Sequence, residues 1–328
     1  PMRNKTVIIG AGLSGLSCAS LLRDDCCVLE KDYCVGGLAR TVSFRDFSFD
    51  LGGHRFFTTD RAVQDFFCSV IGDNALRIQR KSRIFRNGIF VDYPLTLSVL
   101  KSLSLRDVVA AFSTYILRNI FPLQEHSFAD AARNRFGDRL FELFFQGYTQ
   151  KVWGIPCEEL SAEFLDLRLQ RVSLKNVVLH ALRRRKHVTS FTDTFLYPLC
   201  GIGELSCRLS QGIDVRLRHE VTGFACRSKR IEAVIRDGKD EIPCAQVVST
   251  MPITQLVALL QAPKDVLGAA HALRYRSLIC VFLELDRASY TDDHWIYFPH
   301  DQIFGRLHEP KNWSKAMAPA DKSGVCVE

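Results

Sequence analysis

The stretch KTVIIGAGLSGLSCASLL, residues 5–22, places three glycines where an apolar, β-branched run gives way to helical spacing. Residues 5–9 read as a short buried strand, and residues 13–22 as a helix rich in small side chains and leucine. Each glycine of Gly10-x-Gly12-x-x-Gly15 has a physical purpose. Gly10 permits the tight turn, Gly12 lets backbone approach a pyrophosphate, and Gly15 lets the helix pack closely on the strand. At Leu13 and Ser14 the helix start offers unpaired N–H groups and the positive end of its dipole.

The next strand, CCVLE, ends in Glu30, twenty residues after Gly10. A carboxylate at that place accepts the hydroxyls of an adenosine ribose and repels a 2′-phosphate, which argues against NADP. The following segment, EKDYCVGGLARTV, carries Lys31, Gly36, Gly37, Leu38 and Arg40. Paired glycines bring backbone N–H groups near phosphate, and an arginine adds a fork of fixed charge. A second pair, Gly52-Gly53 before His54, follows an alternating strand (Phe47, Phe49, Leu51) and would set bare backbone beside a flat ring. His54 itself reads equally well as a ring-side group or as a core histidine.

Composition narrows the class. With 328 residues, 47% hydrophobic and 24% charged, the chain has an ordinary globular composition and length for one large or two joined domains. No apolar run approaches the roughly 20 residues that span a bilayer, so no stable membrane insertion and a cytoplasmic location are expected. The twelve cysteines lack CxxC pairs and read as reduced, mostly buried thiols rather than disulfides or metal ligands. The net charge of +7 is dispersed except at LRRRKH, residues 182–187, read as a solvated helix end. Nucleic acid is therefore not the expected partner, whereas a polyanionic small molecule is.

Glu30-Lys31 followed by Gly36-Gly37 and Arg40 resembles the second glycine motif of the flavoprotein group that includes amine oxidases, protoporphyrinogen oxidases, phytoene desaturases and UDP-galactopyranose mutases. That resemblance implies FAD. It also implies a discontinuous cofactor domain: residues 214–250 read as successive strands, with backbone near Val221 against the adenine. Within the group, GYTQKVWG (Gly147, Tyr148, Thr149, Lys151, Trp153, Gly154), with Arg168 and Arg171 beyond it, is similar to the UDP-galactopyranose mutases. DLGGHRFFT, FVDYPL, YPLCGIGEL, RYRSL and FGRLHEPKNW, the last with Arg306, resemble further segments of that family in the same order. Where the family has a nucleotide-contacting tyrosine, this chain reads Asp193-Thr194-Phe195.

The resemblance implies a ring-contracting isomerase of polysaccharide biosynthesis that uses reduced FAD as a nucleophile toward a UDP-sugar, after reduction by an external donor such as NAD(P)H. Tyr148 and Trp153 would place sugar and nucleotide, Arg171 and Arg306 would hold the diphosphate, and backbone near His54 would border the flavin. Two alternatives stand beside it: a redox oxidoreductase of amine oxidase, protoporphyrinogen oxidase or desaturase type, and an FAD-free scaffold.

The expected architecture is α/β. A Rossmann-like FAD domain, residues 1–92 and 193–262, encloses a helical insertion at 93–192, and a substrate-side antiparallel sheet occupies 263–328. In the mutases a glycine-arginine FAD segment and two tyrosines follow the position of GVCVE, so a further segment is expected beyond Glu328.

Overall fold

The strands Thr6–Ile9 and Cys26–Leu29 are buried along almost their whole length, and their side chains divide by period two between two cores. Ile8, Cys26 and Val28 join Leu16 and Ala19 of the helix Leu13–Leu22, whereas Val7, Ile9, Cys27 and Leu29 join Val221, Val234 and Ile242. Burial on both faces is why these strands read as continuous apolar runs. A computed structural model describes residues 5–93, 103–168, 194–228, 230–300 and 302–328.

The described chain divides into two compact units. The first comprises Pro1–Ile78, Leu196–Ser277 and Ser314–Pro319. Its centre is a four-stranded parallel sheet in the order Gln246–Ser249, Thr6–Ile9, Cys26–Leu29, Val215–Arg216. Thr6–Ile9 thus pairs with its sequence neighbour on one side and with a strand from beyond residue 240 on the other. This is the Rossmann-like, discontinuous arrangement expected. A three-stranded antiparallel sheet, Val221–Arg227, Arg230–Arg236 and Asp240–Pro243, covers one face.

The second unit comprises Gln79–Phe195, Leu278–Trp313 and Ala320–Glu328. Its six-stranded sheet runs Val281–Leu285, Ser323–Val327, Arg306–His308, Trp295–Tyr297, Ser82–Arg86, Ile89–Asp92. The pairing is antiparallel except between Trp295–Tyr297 and Ser82–Arg86. Strands 82–92 extend the later sheet, because Ile84 pairs with Tyr297 and Ile84 and Val91 face the helical core.

That core is built by helices Leu105–Ile120 and Phe128–Phe136 and the segment Phe141–Gln146, which the helix Gly147–Trp153 follows, around Phe128, Phe136, Phe141 and Leu165. Ser127 and Asp130 form a capping box that sets the start of Phe128–Phe136. Phe141–Gln146 is a π-turn leading straight into Gly147. Among the described residues no helix is long and apolar enough to cross a membrane. All twelve thiols are free: Cys26, Cys27, Cys157, Cys244 and Cys326 are buried, whereas Cys200 on a turn, Cys207 on the helix Gly203–Leu209 and Cys226 near a strand end are exposed.

Candidate functional site

In the first unit the glycine turn is defined by what a side chain would meet. Gly10 turns at φ +100°, and a Cβ there would stand 2.5 Å from Thr250 Oγ1. A Cβ on Gly15 would stand 2.0 Å from the Gly10 carbonyl oxygen, so only glycine lets the helix approach the strand. Gly12 differs, since nothing lies within 4 Å of its Cβ position. The helix that opens with Leu13 and Ser14 has no side-chain cap and no acidic residue in its first turn. Backbone space and an uncontested positive helix end thus coincide, as an anionic diphosphate requires.

The Gly36 N–H donates to the Ala11 carbonyl at 2.8 Å, which draws the second glycine segment beside the first. The Cβ position of Gly37 is 3.4 Å from Gly12 Cα, and Leu38 on the same loop is 83% exposed. Glu30 is buried, and its two oxygens accept the Ala11 N–H at 2.7 Å and the Asp32 N–H at 2.9 Å. A carboxylate offers about four acceptor positions, so this one both fixes the turn and keeps capacity for ribose hydroxyls. Lys31 is exposed.

Arg40 has protein partners on its own loop. Its Nε donates to the Gly37 carbonyl at 2.7 Å and its Nη2 to Asp32 at 2.7 Å, while Nη1 lies 3.2 Å from Cys34 Sγ. The fork braces the loop because Asp32 offers it a carboxylate within reach. The hydrogen bond from Arg40 holds the Asp32 carboxyl below the usual carboxylate range.

Asp50, absent from the sequence reading, anchors the next glycine pair. It is 1% exposed and accepts from Thr41 Oγ1 and Tyr197 OH, each at 2.6 Å, and from the Ile202 N–H at 3.1 Å. Burial pushes its carboxyl up, and these three donors work against the shift. Gly52 follows at φ +90°, and His54 Nε2 lies 3.1 Å from the Leu51 carbonyl, tying the ring across Gly52-Gly53. Val221 begins its strand with its side chain in the core beside Leu29.

The second unit collects aromatics and arginines. Tyr148 meets Tyr297 edge-on at 5.3 Å, and Tyr93 meets Tyr297 at 5.2 Å. Arg80 lies 5.0 Å from the Tyr93 ring centre and donates to Tyr297 OH at 3.1 Å. Arg306 pairs in register with Tyr297, and its Nε donates to Glu328 at 2.8 Å. Burial works to lower the Arg306 pKa, yet Glu328 beside it raises it, so the guanidinium stays charged. Burial, with Tyr297 alongside, pushes the Tyr148 phenol up and keeps it neutral.

GYTQKVWG itself acts as a clamp. A Cβ on Gly147 would stand 2.9 Å from the Pro299 carbonyl oxygen, so this helix start lies against the loop at 298–304. One turn later Lys151 Nζ donates to the carbonyls of Phe298 and Gln302, each at 2.8 Å, and to that of His300. Thr149 is buried, and Trp153 is half-buried, edge-on to Phe164 at 4.9 Å. Gly154 ends the helix in the left-handed region at φ +69°. The π-turn just before this motif is of the kind that recurs at functional sites.

The structure brings together Gly10, Gly12, Gly15, Glu30 and Gly37 in one unit, and Tyr148 and Arg306 near Tyr297 in the other. Arg171 and the cluster at 182–187 lie outside the described residues, and Arg168 enters only as the last residue of helix Glu163–Arg168. Arg80 and Tyr297 were not foreseen; their one sequence signal is an arginine and an aromatic strand 217 residues apart.

Residues 13–327 match the family model described as flavin containing amine oxidoreductase. Among solved structures the chain is similar to a reduced UDP-galactopyranose mutase, at 21% identity and TM-score 0.88, over 99% of this chain and 74% of that one. It is similar also to a putative protoporphyrinogen oxidase from Exiguobacterium sp. 255-15, at 17% identity and TM-score 0.74, over 100% and 77% of the two chains. A third likeness is to a fatty acid isomerase from P. acnes that produces CLA, at 13% identity and TM-score 0.62, over 100% and 77%. These likenesses fix the fold. The open backbone at Gly12, the uncontested helix start and the buried Glu30 fit FAD, the cofactor that the family match carries.

Proposed function

The chain belongs to the flavin containing amine oxidoreductase family, and we propose that within it this protein is an FAD-dependent isomerase of a UDP-sugar. The observation that carries the reading is the cluster of Tyr93, Tyr148 and Tyr297 with Arg80 and Arg306. Aromatic faces suit uracil and sugar, and guanidinium groups suit a diphosphate. Two arginines held among phenols would repel a protonated amine and suit an anionic substrate. The likeness to UDP-galactopyranose mutase agrees with this choice and proposes its substrate, UDP-galactose, as the first to try.

Bound and reduced, FAD supplies the electron pair for attack at the anomeric carbon of the sugar. The chain's own residues have the remaining tasks. Arg306, held charged by Glu328, neutralises the departing diphosphate, and Arg171 shares that role. Tyr148, held neutral, donates a hydrogen bond to a phosphate or sugar oxygen without adding charge. Trp153 offers a flat face to the nucleotide sugar, and Lys151 keeps the 298–304 loop in the shape that delivers Arg306. The backbone at Gly52, Gly53 and His54 borders the flavin ring. An external reductant of the NAD(P)H class maintains the reduced state.

The test is chromatographic. The dithionite-reduced holoprotein should interconvert UDP-galactopyranose and UDP-galactofuranose, and the oxidised protein should not. Absence of interconversion by reduced protein, together with oxygen-dependent turnover of an amine or a porphyrinogen, would assign the redox alternative instead.

A further inference from the structure

His308, Cys326 and Glu328 bring an imidazole, a thiol and a carboxylate within 4.8 Å of one another on adjacent strands of the second unit. His308 and Cys326 are wholly buried and directly paired in register, and the Glu328 side chain is 3% exposed. The His308 ring is stacked on Trp313 at 4.8 Å and 11°. Its Nδ1 is 3.0 Å from Glu328 Oε1, and its Nε2 has no hydrogen-bond partner. A fully buried imidazole nitrogen without a hydrogen bond is costly unless something else takes its lone pair or its proton.

We propose that His308, Cys326 and Glu328 form a buried three-donor binding site for a borderline-soft divalent cation, zinc foremost. One sulfur, one imidazole and one carboxylate donor suit zinc, whose sites combine such ligands, and disfavour magnesium or calcium, which take oxygen ligands. Bonds of about 2.0–2.3 Å put the donors of a tetrahedron roughly 3.3–3.8 Å apart. The set is therefore open by about 1 Å, within the reach of small side-chain adjustments. Charge balances as well: one thiolate and one carboxylate face a divalent cation. Arg306 donates to the far oxygen of Glu328, the place of an outer partner that orients a ligating carboxylate. The cation would join the ends of two neighbouring strands, Arg306–His308 and Ser323–Val327, and the inference stands whatever substrate the enzyme takes.

The flavin-loaded protein, purified with reductant and without added metal, should carry about one zinc per chain by mass spectrometry of the elements. After chelation, cobalt(II) should restore one equivalent of binding, with a thiolate charge-transfer band in the near ultraviolet and visible bands of a tetrahedral ion. Cys326→Ser and His308→Gln should each weaken cobalt binding 10-fold or more, with flavin content unchanged. Should either fail to fold, the other carries the test, and Cys326→Asp, which keeps an anionic donor, should bind cobalt without the charge-transfer band. The proposal is overturned if the wild-type protein neither contains zinc nor takes up cobalt. It is equally overturned if the cobalt spectrum survives unchanged in these variants.

Discussion

The glycine turn of the first unit and the tyrosine–arginine cluster of the second are both suited to anions, and they are built from opposite materials. Around Gly10, Gly12 and Gly15 the binding elements are backbone N–H groups and a helix end, and the glycines serve by leaving space. Around Tyr148 the elements are side chains brought from residues 80, 93, 148, 297 and 306, each held by a partner of its own. A backbone site tolerates no added atoms but needs no particular side chain. A side-chain site tolerates local change but depends on distant supports such as Lys151 and Glu328.

The largest effect should come from Gly15→Ala. Its Cβ would stand 2.0 Å from a backbone oxygen that has no room to yield, so we expect a loss of about 3 kcal/mol in denaturant unfolding, together with loss of flavin. Lys151→Met tests the other region. It leaves the carbonyls of Phe298, His300 and Gln302 without their donor, and about 2–3 kcal/mol should be lost while flavin stays bound. Flavin loss in that variant would break the separation between the two regions.

Gly12→Val sharpens the contrast within the turn. Open space surrounds the Gly12 Cβ position, so the melting temperature of the flavin-free protein should move little, whereas flavin content should fall 10-fold or more. The smallest effect should be that of Asp32→Asn. Asp32 is depressed in the folded protein, so its contribution is present above the ordinary carboxylate value and is lost as pH falls through the depressed one. Flavin release should therefore quicken below about pH 4 in the wild type. The variant should release flavin faster already at neutral pH, with melting changed by about 2 °C or less because the pair is partly exposed.

The same contrast explains what the sequence disclosed. Gly10, Gly15 and Glu30 could be read because their roles arise within 25 residues of one another and constrain residue type absolutely. The parallel strands could be read because burial on both faces leaves unbroken apolar runs. The pairing of Arg40 with Asp32 could not be read, because a charge that suits phosphate suits a carboxylate equally and spacing alone does not choose between them. Asp50 was missed because its partner Tyr197 lies 147 residues away. The partner of strands 82–92 could not be read, because alternation predicts a strand and says nothing of what it pairs with, here Trp295–Tyr297. In GYTQKVWG, Gly147 and Lys151 share a helix face by their spacing, yet the loop that they grip is 147–153 residues distant.

The central claim is that the tyrosine–arginine cluster recognises a nucleotide diphosphate independently of how the flavin is held. Calorimetric titration of UDP into the reduced flavin-loaded protein, wild type beside Arg306→Ala, tests it most directly. The account predicts saturable binding by the wild type and a loss of at least about 30-fold, roughly 2 kcal/mol, in the variant, whose flavin absorbance is unchanged. Equal UDP affinity in the two proteins, or no binding to either, would contradict it.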